Sequence, residues 1–484
     1  MDAPDTPPPS TRAAGAPASS GDATPGAAVT PEAHVTRGRL GVLRHAHFRL
    51  FWFASLGSYM GNWFEFIGTQ WIVAKATDST LWLAYIGAAQ LLPTLVLGLL
   101  GGVVADRVNR RTLLVVTQAL MMLIALAFFG VVVAGVATPM VLLFLSLAQG
   151  VVVAFNNPAW QVLIPRLVPR EDLVRAITLQ GIGFNTARAL GPALAGVIMG
   201  LSGPSWLFLV NAVSFVGVMV AVSRTPDAPA PTRDGRRILH LGTFTRDMRE
   251  AGAFIFREPG PRAALLAMVV FATFATPILR FLPLFVTQVY QMEEATFGLL
   301  TGVMGVGAVA GGLLLGRVPA WYPKHHFIPY SILMGGLWIL LFSIVDDVRL
   351  AGVYMFFVGV FWMWTFNSSM AALQLLTPDA VRGRVMAVCN AISLGLMPTG
   401  AFIASGMGHV LAQVVDASST GIAREGLATQ LGLAFVSMIL VLAGIIMLIW
   451  RTPEVDGLKR GDPGYDRQPG FLRGVFAPAH RPVR

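Results

Sequence analysis

Charged residues are scarce in this sequence. They make up 12% of its 484 residues, whereas hydrophobic residues make up 55%, and the mean hydropathy is +0.66. A soluble domain usually carries about 25% charged residues. The composition therefore excludes an ordinary soluble globular protein and indicates a chain that crosses a membrane several times.

Several other features are absent. Cys389 is the sole cysteine, which excludes a disulfide framework within the chain, and its apolar surroundings predict a small core residue. No G-x-x-x-x-G-K-[ST] motif occurs, so we expect neither ATP hydrolysis nor another enzymatic activity. The first residues are acidic and polar, unlike a secretory signal. His325 and His326 are expected to be solvated in a loop, and the sequence predicts no metal site and no cofactor.

Long apolar segments dominate what is present. Each is long enough to cross a bilayer as a helix. They lie near residues 50–74, 81–104, 113–136, 139–160, 174–200, 204–223, 263–290, 296–316, 327–345, 350–375, 385–414 and 428–450. The sequence therefore predicts an all-α membrane protein with twelve transmembrane helices in two six-helix bundles.

The stretches between these segments define the predicted domains. The first forty residues are rich in Pro, Ala, Ser, Thr and Gly, which is typical of a disordered tail. In the central loop, Phe244 to Arg257 predicts a short amphipathic helix on the inner leaflet. The domains are the N-terminal tail (1–40), the first bundle (41–223), the central loop (224–262), the second bundle (263–451) and a disordered basic tail (452–484).

Lysine and arginine residues between the spans gather on one side of the predicted membrane. Only Lys75, Arg349 and Arg424 fall on the other side. Because cytoplasmic loops collect positive charge, both termini are predicted to be cytoplasmic, in the cell inner membrane. The net charge of +10 is then explained by contact with anionic lipid, and no nucleic-acid partner is needed.

A charged turn joins the second and third predicted helices. Its ten residues, GVVADRVNRR, resemble the loop between helices 2 and 3 of the major facilitator superfamily, with Asn109 where the family has a second glycine. Asparagine tolerates left-handed backbone angles better than most residues, so the turn is expected to survive the change. The resemblance implies a transporter that works by alternating access, with a conformational latch in this turn. The predicted latch residues are Gly102, Asp106, Arg107, Arg110 and Arg111.

The two halves of the chain resemble each other. GVVADR, from Gly102 to Arg107, aligns with GLLLGR, from Gly312 to Arg317, although the second copy lacks the aspartate. Repeats of this kind are expected to be related by pseudo-symmetry and to enclose a substrate site at their interface near the bilayer midplane.

The fifth predicted helix contains Gly191 and Pro192, which are expected to break or kink it. This pair resembles the Gly-Pro motif of export-type, proton-coupled members of the superfamily. Together with Asn156-Asn157-Pro158, it resembles the branch that contains the enterobactin exporter and the transmembrane secretion effectors. The resemblance implies export, while a plain packing kink remains the alternative.

One acidic residue lies well within a predicted span. Glu65 shares a face of the first helix with Ser58, Asn62 and Thr69, so a polar stripe is expected to point away from lipid. Such a carboxylate could exchange a proton during a transport cycle, which makes Glu65 the candidate coupling residue. The alternative is a permanently ionised carboxylate paired with an arginine.

Two arginines also lie within spans, Arg188 in the fifth helix and Arg280 in the seventh. Arg280 is expected to face Glu65 across the cavity by pseudo-symmetry. One acidic residue against two arginines favours an anionic or neutral substrate. Because helices 1, 4, 7 and 10 line the cavity in the superfamily, the remaining candidate contacts are Asn62, Asn156, Trp160, Gln161, Trp362 and Asn367.

We therefore expect a monomeric secondary transporter that exports a small molecule in exchange for protons. The substrate is expected to be siderophore-like, drug-like or another amphipathic metabolite, and the other partners are protons and membrane lipid. Two alternatives remain open, namely an importer of the same fold and a membrane sensor that resembles a transporter but carries no flux.

Overall fold

The computed structural model describes residues 39–225, 241–318, 322–415 and 423–458. Regular structure in these ranges is helical, and they contain no β-strand. The α-helices are α1 (Ala46–Thr77), α2 (Thr80–Arg107), α3 (Arg110–Val133), α4 (Pro139–Leu163), α5 (Leu173–Ser202), α6 (Ser205–Ser223), α7 (Leu241–Arg257), α8 (Pro259–Phe274), α9 (Pro277–Leu284), α10 (Glu294–Leu315), α11 (Lys324–Ile344), α12 (Val348–Leu376), α13 (Asp379–Val414) and α14 (Arg424–Ile449). Almost all of the predicted N-terminal tail, most of the predicted C-terminal tail and residues 226–240 of the central loop lie outside the described residues.

Among the described residues, ten helical segments are long and apolar enough to cross a membrane. Helices suit this role because their backbone hydrogen bonds are satisfied within one segment. Two further helices, α1 and α5, are long, with 32 and 30 residues. Helix α1 carries Glu65, and α5 carries Arg188.

One apolar segment, Pro259–Val289, is broken into three pieces. Helix α8 ends at Phe274, α9 begins at Pro277, and a π-helical turn occupies Phe285–Val289. The proline lacks a backbone N–H and interrupts the regular hydrogen-bond ladder. This break places Arg280 on a short helix of its own in the middle of the span.

The helices pack in two sets. Helices α1 to α6 pack mainly against one another, as do α8 and α10 to α14, and the sets meet where α5 contacts α10 and where α2 contacts α13. At the first of these contacts a Cβ added to Gly196 would lie 2.1 Å from the Cα of Gly298. Only glycine at both positions lets the two backbones approach this closely.

The two sets close together at one end of the protein. We call the end that carries the α2–α3 turn the arginine-rich end, and the other the closed end. At the closed end, Thr80 and Ser405 share a hydrogen bond of 2.6 Å, and the rings of Trp71 and Phe297 stack with centroids 5.5 Å apart. Hydrogen bonding and aromatic stacking thus join the two sets there.

An ion cluster joins α1 to the start of α5 at the arginine-rich end. Asp172 is 2% exposed, and its carboxylate accepts hydrogen bonds of 2.9 Å from Arg44 and Arg175 and lies 2.9 Å from the His45 ring. The hydrogen bond with His45 is the largest cause that lowers the pKa of Asp172 from its usual range, and the arginines lower that pKa further. The cluster holds the start of α1 against the start of α5, although the two lie more than a hundred residues apart in the sequence.

Replacing Gly196 with leucine should force α5 and α10 apart. We expect the free energy of unfolding to fall by about 1–3 kcal/mol, the usual cost of overpacking a tight contact. Thermal unfolding of the purified protein in detergent would measure this loss. Gly130→Leu is the control, because a Cβ at Gly130 meets nothing within 4 Å. Equal melting temperatures for the two variants would contradict the close contact.

Asp172→Asn should lower stability at neutral pH by about 1.5–3 kcal/mol, the usual contribution of a hydrogen bond to a charged group. Because the folded-state pKa is lowered, this stabilisation is present above the unfolded-state value of about 3.9 and is lost as the pH falls through the folded-state pKa. The difference in melting temperature between wild type and Asp172→Asn should therefore shrink below about pH 4. Glu171→Gln, at a neighbouring exposed carboxylate, should change little, and a difference that is constant with pH would contradict the ionic role.

Candidate functional site

Glu65 lies inside the protein on α1 and is 5% exposed. Asn211 of α6 donates a hydrogen bond of 2.6 Å from Nδ2 to Glu65 Oε2. Gly61, one turn earlier, makes this approach possible, since a Cβ there would lie 2.3 Å from Asn211 Oδ1. Among the described residues no arginine, lysine or histidine forms an ion pair with Glu65. The alternative of an ion pair with an arginine therefore finds no partner in the described part of the chain.

Arg280 lies on α9 and is 7% exposed. Its guanidinium group occupies the space beside Gly87 of α2, where an added Cβ would lie 2.2 Å from Arg280 Cζ. Cζ is also 5.6 Å from the ring centroid of Phe66. Nη1 is buried and has no hydrogen-bond partner among the described residues. Arg280 thus reaches the residue next to Glu65 but does not pair with the carboxylate.

Arg188 of α5 also crosses between the two sets of helices. Its guanidinium carbon lies 4.7 Å from the ring centroid of Phe366 and 5.7 Å from that of Trp362, both on α12. Trp362 packs edge-on against Phe271 of α8, at 5.1 Å between centroids. Cation–π contacts of this kind stabilise a guanidinium group without neutralising its charge. Both arginines therefore keep their positive charge uncompensated by any carboxylate in the described residues.

Three predicted cavity residues, Asn62, Asn156 and Trp160, line one cavity of about 350 Å³. Trp160 Nε1 and Gln180 Nε2 each donate a hydrogen bond of 3.1 Å to Tyr59 Oη. The sequence analysis missed Tyr59 and Gln180, because nothing in the sequence distinguishes a tyrosine in this cavity from one at the membrane interface. We call this space the amide cavity; the side chains that line it are those of Ser58, Tyr59, Asn62, Gln118, Met121, Val153, Asn156, Asn157, Trp160 and Phe184.

The remaining predicted cavity residues do not join that group. Asn367 lines a second cavity of about 450 Å³ together with Lys324 and Gln374, and its Nδ2 donates to the Met363 carbonyl at 3.0 Å. The side chain of Gln161 lies outside the described residues. The structure therefore divides the predicted contacts among the amide cavity, the two arginine sites and this second cavity.

The predicted latch is only partly described, because the side chains of Asp106 and Arg107 lie outside the described residues. Asn109 has φ −60°, so the turn forms without the left-handed conformation that asparagine tolerates. Asn109 instead caps α3, with Oδ1 accepting from the backbone N–H groups of Arg111 at 3.0 Å and Thr112 at 3.5 Å. This satisfies N–H groups that have no partner inside the helix, which explains an asparagine at this position.

The basic side chains of the same turn contact the ends of neighbouring helices. Arg110 Nε donates to the carbonyl of Ala105 at 3.4 Å, and Arg111 Nη2 donates to the carbonyl of Ser223, the last residue of α6. A Cβ added to Gly102 would meet nothing within 4 Å. The turn is thus tied to α6 through Arg111.

Gly191 and Pro192 do not break α5, which is continuous from Leu173 to Ser202. A Cβ at Gly191 would lie 2.8 Å from the Cβ of Trp63 on α1. A break at this pair is therefore wrong, a kink stays a prediction, and the glycine serves the close packing of α5 on α1.

His325 and His326 were expected to be solvated, and this expectation is also wrong. Both lie in the first turn of α11 and are 2% exposed. The ring of His325 bonds to the carboxylate of Asp456, which also accepts from the backbone N–H of Lys324 at 2.6 Å. The segment after α14 therefore folds back to cap α11, a long-range contact that local sequence does not reveal. The described residues contain no group of three or more histidine, cysteine or acidic side chains that could hold a metal ion.

Comparisons with known proteins agree with this architecture. The chain is 22% identical over 377 residues to the staphyloferrin A transporter of Staphylococcus aureus. The aligned region covers 77% of this chain and 92% of that protein. It is 26% identical over 369 residues to the enterobactin exporter of Salmonella typhimurium. Here the aligned region covers 74% of this chain and 82% of the exporter.

Solved structures share the fold. A bacterial homolog of the human lysosomal transporter Spinster, in an inward-facing and occupied conformation, has a TM-score of 0.63 at 14% identity and covers 90% of this chain and 99% of its own. A D-xylose–proton symporter has a TM-score of 0.63 at 14% identity, with coverage of 86% and 100%.

A family profile matches most of the chain, from residue 37 to residue 461, and its description is transmembrane secretion effector. The matched range includes every described helix. The protein therefore belongs to the transmembrane secretion effector family, and it is a multi-pass membrane transporter of the major facilitator type.

Proposed function

We propose that this protein exports a small molecule across the inner membrane in exchange for protons. The observation that carries the proposal is Glu65, a buried carboxyl group that accepts a hydrogen bond from a neutral donor, Asn211, and forms no ion pair with any residue that the structure describes. A carboxyl group locked in an ion pair would be held in one charge state, whereas this one is free to gain and lose a proton as its access to water changes.

The direction of transport rests on the relatives. One of them is named an enterobactin exporter, and the other is named a staphyloferrin A transporter. Both names refer to siderophores, so we propose a siderophore-like, drug-like or related amphipathic substrate. Arg188 and Arg280 favour one that is anionic or neutral, because a cation would have to approach two uncompensated positive charges.

We further propose twelve transmembrane helices in two six-helix bundles, with both termini in the cytoplasm. The ten apolar segments, together with α1 and α5, make up this number. With the arginine-rich end in the cytoplasm, the contacts at the closed end seal the outer side. The proposed state is therefore inward-facing, in which an exported substrate enters from the cytoplasm.

In this cycle the α2–α3 turn is the latch. Gly102, Asp106, Arg107, Arg110 and Arg111 would hold the cytoplasmic ends of helices together in the outward-facing state and release them in the state described here. Arg111 contacts the end of α6. This contact supports a turn that moves together with the bundle to which it belongs.

The proton gradient and membrane potential limit how far the substrate can be concentrated on one side of the membrane. One proton contributes about 2.3 kcal/mol per 100 mV and about 1.4 kcal/mol per pH unit. Exchange of one proton per substrate at 100 mV and one pH unit therefore supports a gradient of roughly several hundredfold.

Everted membrane vesicles that are acid inside would test the proposal, with a pH-sensitive dye reporting proton release on addition of candidate substrates. Wild type should release protons with an anionic siderophore, and Glu65→Gln should not, because its amide cannot exchange a proton. Glu293→Gln removes an exposed carboxylate at the start of α10 and should behave as wild type.

Release that persists in Glu65→Gln would remove Glu65 from the coupling role. Substrate accumulation inside intact cells would instead indicate an importer. A folded protein that moves none of the substrates would contradict the transport proposal and favour a sensor.

Gly87→Ala should displace the Arg280 guanidinium group, because the added methyl group would occupy its position. We expect KM for an anionic substrate to rise about tenfold, equivalent to the loss of one charge-assisted hydrogen bond. Gly98→Ala on the same helix is the control, since a Cβ there meets nothing within 4 Å. Initial rates in the vesicle assay would give KM, and equal values for the two variants would contradict a role for Arg280 in binding.

A further inference from the structure

A groove lies between α8 and α14 at the arginine-rich end of the second set of helices. Its volume is about 610 Å³, and side chains of α7, α11, α13 and the segment after α14 complete its walls. In the first set, the first and last spans, α1 and α6, pack closely, since a Cβ added to Gly61 or Gly68 would meet side chains of α6. The first and last spans of the second set have this space between them instead. We call it the α8–α14 groove.

Most of the groove wall is apolar. Leu266 of α8 and Ile446 of α14 both line the groove and are exposed, although each lies on an apolar membrane-spanning segment. Trp450, directly after α14, also lines it and is exposed. Tryptophan is typical of the level at which the hydrocarbon core meets the lipid headgroups. The wall therefore suits a hydrocarbon chain that enters from the membrane.

Two basic residues line the same groove. Arg262 lies in the first turn of α8, and Lys324 begins α11. Neither forms an ion pair with a described residue, and Arg262 makes one long hydrogen bond, of 3.4 Å from Nη1 to the Phe256 carbonyl. None of the described side chains that line the groove is acidic. An anionic group placed here would compensate two charges that the described part of the protein leaves unpaired.

The segment after α14 connects the two helix ends that carry these basic residues. Asp456 accepts from the backbone N–H of Lys324 at 2.6 Å and bonds to the ring of His325, so its carboxylate is already engaged. A Cβ added to Gly260 would lie 2.4 Å from the carbonyl oxygen of Glu454. The same short segment thus contacts the start of α8 and the start of α11, and it fixes the basic end of the groove.

We propose that the α8–α14 groove binds one anionic phospholipid of the inner leaflet. An acyl chain lies along the apolar wall, and the phosphate contacts Arg262 and Lys324. The apolar wall alone would accept any lipid, whereas the two unpaired cations select a headgroup with net negative charge. This inference does not need the proposed transport function, and it uses only the proposed orientation, in which the arginine-rich end meets the inner leaflet.

Native mass spectrometry of the full-length protein, delipidated in detergent, would test this proposal. The probes are phosphatidylglycerol, phosphatidylcholine with the same acyl chains, and glycerol 3-phosphate, which carries a phosphate without the chains. One phosphatidylglycerol should bind to wild type, more tightly than either other probe. Arg262→Gln and Lys324→Gln should each weaken its binding about fivefold, as expected for one basic residue at an anionic lipid surface. Arg317→Gln is the control, because Arg317 is exposed at the same end and does not line the groove.

Ala263→Phe tests the apolar wall, since the added ring would occupy the space of the acyl chain and leave both charges in place. It should weaken phosphatidylglycerol binding severalfold, and the melting temperature of each lipid-free variant would show that it is folded. The proposal is overturned if phosphatidylcholine or glycerol 3-phosphate binds as tightly as phosphatidylglycerol, or if Arg262→Gln and Lys324→Gln bind it as Arg317→Gln does. No substrate or proton gradient is present, so the result is separate from that of the vesicle assay.

Discussion

The free-energy cost of burying charged groups away from water constrains this structure more than any other contribution. An ionised group in a low-dielectric interior costs several kcal/mol unless a partner of opposite charge compensates it. Glu65, Arg188 and Arg280 all lie within the interior or between helices, and none has an ionic partner among the described residues. Each is held instead by a neutral amide or by aromatic faces, interactions that position the group and leave its charge available.

Glycine makes these arrangements possible, because each polar group occupies space that a Cβ would fill. Gly61 admits the Asn211 side chain beside Glu65, and Gly87 admits the Arg280 guanidinium group. Helix packing in membranes relies on small residues for close approach of backbones. Here glycine also leaves room for the Arg280 side chain and for the Asn211 side chain that bonds to Glu65. Helix packing and the electrostatics of the buried groups therefore depend on the same residues.

Much of this could be predicted from sequence, because helix length, apolarity and helical periodicity are local properties. They located the helices, identified Glu65, Arg188 and Arg280 as polar groups within spans, and placed Asn62 on the polar face of the first helix. Asn156 and Trp160 were selected through the resemblance to the superfamily, and they line one cavity together with Asn62. The partners of these groups could not be predicted. Asn211 and Asp456 are separated from Glu65 and His325 by more than a hundred residues, and contacts of that kind depend on how whole helices pack.

The segment that follows the break between α8 and α9 contains both Arg280 and a residue that contacts the closed end of the protein. Arg280 stands on the short helix after the break, and Gln288, in the π-helical turn that follows, donates to the carbonyl of Asp78 at 2.9 Å. Thr429 of α14 also donates to Gln288, at 3.1 Å. The guanidinium group and a contact that closes this end thus lie about two turns apart on one segment. Because the helix is interrupted before α9 and again at the π-helical turn, Arg280 and Gln288 lie on two short elements rather than on one continuous helix.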